Sequence, residues 1–195
     1  MAAAAEQEAQ PVPESKWVGT TKERGEQMVE RAMKRNPMVR FMLEKLEEAG
    51  CSVGRSFFQV ENCSVEVGGG FRPPDGIVIC HNHLGSQTEI DQALTHELIH
   101  AYDHCRAKNM DWSDCRQHAC SEIRAASLSG DCHFKMELMR GNLGVHQQHQ
   151  KCVRRRAELS VSMNPYCKGA AGAKQAVDAV FAPCFADTAP FDRIP

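Results

Sequence analysis

The segment from Thr88 to Arg106 carries two patterns at once. Ile90, Leu94, Leu98, Ala101 and Cys105 recur at three- and four-residue steps, so at helical pitch they collect on one face. That face is a core stripe. His96 and His100 stand one turn apart on a separate flank, with Glu97 between them, which makes the run His96-Glu97-Leu98-Ile99-His100 the motif H-E-x-x-H. The fold must therefore bury one side of this helix and keep the other within reach of a ligand.

The chemistry needs this spacing. One turn lets two imidazoles reach a single zinc ion, while Glu97, turned by about 100°, stands beside the ion rather than on it. There it can take a proton from a water that the metal has made acidic. Nine histidines and sixteen glutamates give an expectation of only about 0.03 such motifs by chance. The competing reading is a solvated face with two surface histidines. Uncharged Leu98 and Ile99 inside the motif, and the amphipathic helix around it, favour the metal site.

A catalytic zinc needs a third protein ligand and an open position. The metzincin pattern is excluded, because Asp103 and Arg106 occupy the positions where it places glycine and histidine. Asp103 shares the histidine flank but lies about 7 Å along the axis from the pair, too far for a short side chain. A role in orienting His100 suits it better. Glu122, 22 residues beyond His100 on the next predicted helix, completes a His/His/Glu set. The rival reading makes Glu122 a surface residue. His118, one turn earlier, either supports Glu122 or donates a hydrogen bond near the metal.

The rest of the chain reads as α+β with a helical majority. Thr20 to Ala49 has helical periodicity interrupted by Pro37. Short strands are expected around Phe57–Val60, at Val65–Val67 and at Ile77–Cys80, with a turn at Gly68-Gly69-Gly70. Thr88 is the expected cap of the motif helix, and Ser113 or Asp114 of a helix through Leu128. Further helices are expected near Cys132–Arg140, Gln147–Met163 and Ala173–Ala182. His81 and His83, just after a strand, are candidates for shaping a substrate edge. Residues 1–19 read as a disordered tail without the basic start or arginines of a targeting segment, and 20–195 as one domain.

Charge and cysteines narrow the setting. With 23 basic and 25 acidic residues the net charge is −2, so no nucleic-acid partner is expected. The basic run Lys151–Arg156 reads as a solvated helix face that can touch acidic lipid head groups. Ten cysteines without a Cys-x-x-Cys pair leave two readings: reduced buried thiols, or up to five disulfides in an oxidising compartment.

Three stretches carry a resemblance: Ile79-Cys80-His81-Asn82, Thr95 to Asp103, and Cys120-Ser121-Glu122-Ile123-Arg124-Ala125-Ala126 with Gly130-Asp131-Cys132. The chain resembles the mitochondrial inner-membrane metalloprotease family from about Val29 to Ala186. Fungal members of that family mature subunit a of ATP synthase, and animal relatives are called Ku-binding proteins. The resemblance implies a zinc endopeptidase bound peripherally to the inner membrane on its intermembrane-space side. It also implies a part in assembling the ATP synthase membrane sector, separable from proteolysis, and cysteines oxidised on arrival. Cys105 and Cys115 are spaced as in proteins oxidised on entry to that space.

The reading is thus a single zincin-like metalloprotease domain with one Zn(2+) per chain on His96, His100 and Glu122, and Glu97 as general base. Its substrate is a polypeptide, by resemblance the ATP synthase subunit a precursor, paired with a sheet edge near Ile77–Cys80. Two rivals are a non-proteolytic assembly factor with a structural or vestigial zinc, and a nuclear repair-associated partner with reduced thiols.

Overall fold

Two polar caps divide the first apolar run. Thr21 accepts the Arg24 amide and opens helix α1 (Lys22–Arg35). Asn36 accepts the amides of Met38 and Val39 and opens α2 (Pro37–Glu48). Pro37 stands at the first helical position, where no amide hydrogen is needed, so it begins a helix rather than kinking one. The computed structural model describes residues 19–142 and 147–195. The expected tail lies outside the described residues except for Gly19.

Strands β1 (Phe58–Glu61), β2 (Gly69–Arg72) and β3 (Gly76–Cys80) form a sheet in the order β1-β3-β2. β3 runs parallel to β1, with Phe58 opposite Ile77, and antiparallel to β2, with Phe71 opposite Ile77. Two expectations are corrected here. Val65–Val67 is not a strand, and the glycine triplet is not a turn but leads into β2. The reason is steric: a Cβ at Gly69 would lie 2.6 Å from the Val78 carbonyl oxygen, so a bare backbone lets β2 approach β3. β3 is paired on both sides and buried at every position, so it offers no edge. The free edge near the motif helix is β2.

The motif helix α3 (Gln87–Arg106) is capped by Ser86, two residues before the expected Thr88. The Ser86 hydroxyl accepts the Glu89 amide, and the Glu89 carboxylate accepts the Ser86 amide, a reciprocal capping box. Asp114 caps α4 (Cys115–Leu128) by accepting the amides of Arg116 and Gln117. Helices α5 (Phe134–Met139), α6 (Gln148–Met163) and α7 (Gly169–Ala186) complete the chain. α7 is longer at both ends than the expected 173–182, and its N-terminal residue Gly169 takes a positive φ of 66°.

The apolar residues form two clusters. Ile90, Leu94, Leu98, Ile99 and Ala101 of α3 pack with α1, α2 and the sheet; Ala119, Ile123 and Ala126 of α4 pack with α6 and α7. α4 also sends Ala125 and Leu128 into the first cluster, so it forms the seam between the two. The five disulfides respect that seam. Cys51–Cys105 and Cys63–Cys80 lie in the first half, and Cys115–Cys167, Cys120–Cys184 and Cys132–Cys152 in the second. Cys105 and Cys115 are thus not partners. The halves are tied instead through Arg124, a buried side chain that pairs with Asp103 of α3 and donates to the backbone carbonyls of Asp187 and Ala189. From there the C-terminal segment returns to stack Phe191 on Phe41 with ring centres 5.0 Å apart. No helix among the described residues is long and apolar enough to cross a membrane.

Candidate metal centre

α3 and α4 meet at the seam with their polar flanks facing, and this brings three predicted side chains together. Ligand atoms of His96, His100 and Glu122 all lie within 4.8 Å of one another. His96 Nε2 is 3.6 Å from Glu122 Oε2, and His100 Nε2 is 3.5 Å from Glu122 Oε1. Glu122 is buried, so the reading that made it a surface residue does not hold.

Each histidine is anchored from behind. His96 Nδ1 lies 3.0 Å from Asp131 Oδ2, which also meets Arg156 at 3.1 Å. His100 Nδ1 lies 2.7 Å from Ser121 Oγ, and that hydroxyl donates to Asp103 Oδ2 at 3.0 Å. Asp103 therefore orients His100, as its place on the helix suggests, but through Ser121 rather than directly. Both rings give their Nδ1 hydrogen away and face Glu122 through Nε2, the nitrogen that such anchoring leaves for a metal. Neither Ser121 nor Asp131 carries a spacing signal toward the histidines. Their contacts close over 21 and 35 residues.

The electrostatics suit a cation. Burial pushes His100 down to about 3, leaving it neutral. His96 is buried as well, yet hydrogen bonds to Asp131 and Glu122 hold it well above the usual imidazole value. Glu122 resists burial and stays well below the ordinary carboxylate range because of the imidazoles of His100, His118 and His96. A nitrogen-nitrogen-oxygen donor set that draws positive charge to its centre fits a zinc ion in chemistry and number. Glu97 differs. Burial pushes it up to about 7, against the pull of His96, and places it near neutrality where a general base works best.

These residues line one wall of a cleft of about 770 Å³ whose other walls include Gly69–Phe71 of β2, Trp112, and Leu159 and Met163 of α6. A Cβ on Gly69 would lie 3.7 Å from Glu97 Cγ, so the free edge of β2 runs alongside the glutamate. His118 lines the cleft too, with Nε2 3.3 Å from Glu122 Oε1. His81 and His83 do not reach it. His81 is buried with Nδ1 2.7 Å from the Thr20 carbonyl, and His83 sits 3.1 Å from the Cys63 carbonyl beside the Cys63–Cys80 bond. The basic run is solvated as expected, with Lys151 and Arg155 exposed, but its arginines are paired: Arg154 with Asp178, Arg155 with Glu137 and Arg156 with Asp131, while Cys152 and Val153 are buried beneath them.

Comparison with known proteins points the same way. The profile of the Peptidase M76 family matches residues 23–192. A protein of Mycosarcoma maydis named mitochondrial inner membrane protease ATP23 is 41% identical over 202 residues, covering 90% of this chain and 93% of that protein. The human mitochondrial inner membrane protease ATP23 homolog is 44% identical over 169 residues, 85% of this chain and 68% of that protein. The Yarrowia lipolytica protein of the same name is 44% identical over 160 residues, and the chain spans 64% of its length. No solved structure matches the chain.

Proposed function

The chain belongs to the peptidase M76 family, and on that premise we propose that it is a zinc metalloendopeptidase of the mitochondrial inner membrane. Residues 20–195 would form one zincin-like domain, peripheral to the membrane on its intermembrane-space side. Its substrate is a polypeptide, of which the precursor of an ATP synthase membrane subunit is our candidate, and it assists assembly of that sector. Five disulfides support an oxidising compartment.

The observation that carries this reading is the convergence of His96, His100 and Glu122, each histidine anchored through Nδ1. These three would hold one zinc ion, which when bound supplies a Lewis acid that polarises a carbonyl and acidifies water. The protein's own part is positional. Asp131 and Ser121 fix the two rings, so the ligands are set before substrate arrives. The β2 edge, which no further strand covers among the described residues, receives an extended peptide and lays its scissile bond beside Glu97. This replaces Ile77–Cys80 as the docking edge. The Glu97 carboxylate takes a proton from the attacking water and returns it to the leaving amine. Phe71, Trp112, Leu159 and Met163 give the cleft apolar walls against which substrate side chains can pack.

Purified oxidised protein should contain one zinc per chain, cleave a candidate precursor, and lose cleavage with a chelator. Glu97→Gln should retain zinc and abolish cleavage. Full assembly function in Glu97→Gln, with no precursor cleavage by the wild type, would favour a non-proteolytic assembly factor instead.

A further inference from the structure

Three imidazoles face this centre through Nε2, but their Nδ1 atoms are held differently. His96 and His100 commit an Nδ1 hydrogen to Asp131 and Ser121. His118 is held the opposite way by Asn164, a residue 46 positions along the chain at the end of α6. The orientation of the Asn164 amide is set by two backbone groups. Its Oδ1 accepts the Tyr166 amide at 3.1 Å, and its Nδ2 donates to the Trp112 carbonyl at 2.9 Å. A flipped amide would set oxygen against oxygen and N–H against N–H, so no flip is available. The second Nδ2 hydrogen then meets His118 Nδ1 at 2.9 Å. That atom must accept, so the ring hydrogen of His118 sits on Nε2 and points at the centre.

Two roles are thereby removed. An Nε2 that carries hydrogen has no lone pair for a metal or for accepting a proton. Support of Glu122 alone is also a poor account. The Ser160 hydroxyl already donates to Glu122 Oε1 at 2.5 Å, whereas the His118 N–H reaches the same oxygen at 3.3 Å. The longer bond is the one that a better acceptor takes over. Trp112 keeps the ring in place, edge-on to both His118 and His100 with ring centres 5.8 and 5.7 Å apart.

We propose that His118 is a catalytic hydrogen-bond donor, held in its Nε2–H tautomer by Asn164, that stabilises the substrate carbonyl oxygen as negative charge develops on it. Asn164 is the positioning residue. The proposal rests on the metallopeptidase reading above. A fixed donor aimed at developing charge lowers the barrier more than it strengthens ground-state binding, so its loss falls on kcat rather than KM.

The test combines spectroscopy and kinetics on the oxidised, zinc-loaded full chain. Long-range proton–nitrogen NMR of histidine-labelled protein, assigned by loss of the signal in His118→Ala, should show His118 with hydrogen on Nε2. In Asn164→Ala the Nδ1–H form should appear. His118→Ala should lower kcat by about 10²–10³-fold while KM and zinc affinity hold. Hydrogen on Nδ1 in the wild type overturns the inference, as does unchanged kcat in His118→Ala. A zinc affinity reduced 10–100-fold, with kcat restored at saturating zinc, would make His118 a support for Glu122 and overturn it as well. Wild-type protein that binds zinc but cleaves no peptide would sink the enzymatic reading itself, and the catalytic part of this inference with it.

Discussion

Asp131 accepts a hydrogen bond from His96 Nδ1 at 3.0 Å across 35 residues of chain, and the same oxygen meets the Arg156 guanidinium. The carboxylate thus joins the motif helix to α6 on the far side of the cleft. Burial would raise its pKa, but His96 and Arg156 keep it below the usual carboxylate value, so it stays ionised behind His96.

Removing that anchor should loosen the metal without removing a ligand. Asp131→Ala is expected to weaken zinc binding by about 10–100-fold. Competition with a chelator of known affinity measures it, and unchanged affinity would deny Asp131 the anchoring role.

The tie between the halves should cost more to break from one side. Asp103→Ala takes one of two carboxylates from the buried Arg124 guanidinium, Asp187 remaining at 2.7 Å. The loss should therefore stay within that of a wholly broken buried pair, about 3–5 kcal/mol. Urea denaturation should show this loss for Asp103→Ala. Ser121→Ala, which removes only a hydroxyl between His100 and Asp103, should lose about 1–3 kcal/mol.

Disulfides that close longer loops should contribute more stability. Cys120–Cys184 spans 64 residues and Cys63–Cys80 spans 17. The chain-entropy relation gives the longer loop about 1.2 kcal/mol more. Paired serine substitutions compared by thermal unfolding check the order. Equal losses would contradict it.

Glu137 predicts the acid limit. It is fully buried, which alone would raise its pKa, but hydrogen bonds from Arg155, Arg140 and Gln148 bring it below the usual 4.5. A depressed folded-state pKa means the unfolded chain binds the proton more readily. Its contribution is therefore complete above about pH 4.5 and is lost as pH falls through the folded value. Glu137→Gln should flatten the pH dependence of stability in that range. An unchanged slope would remove Glu137 as its source.

Much of the centre was legible along the chain. The phase of His96, Glu97 and His100 against Ile90, Leu94 and Leu98 is a property of one helix, and placing Glu122 needed only the next helix. The glycine run misled, because turn propensity and close strand approach select the same residue and only Val78 opposite Gly69 tells them apart. His81 and His83 misled in another way: proximity in sequence to β3 says nothing about which side of the sheet a loop closes over.

What the chain determined alone was local: helical phase and two imidazoles one turn apart, because 3.6 residues per turn is set by backbone geometry within a few residues. The packing of α4 between two apolar clusters decided the rest. It set Asp131 behind His96 and Ser121 behind His100, paired the ten cysteines within their own halves, left β2 as the free edge, and let Asn164 choose the tautomer of His118. Those contacts span tens of residues, and their partners are selected by which surfaces can be buried together.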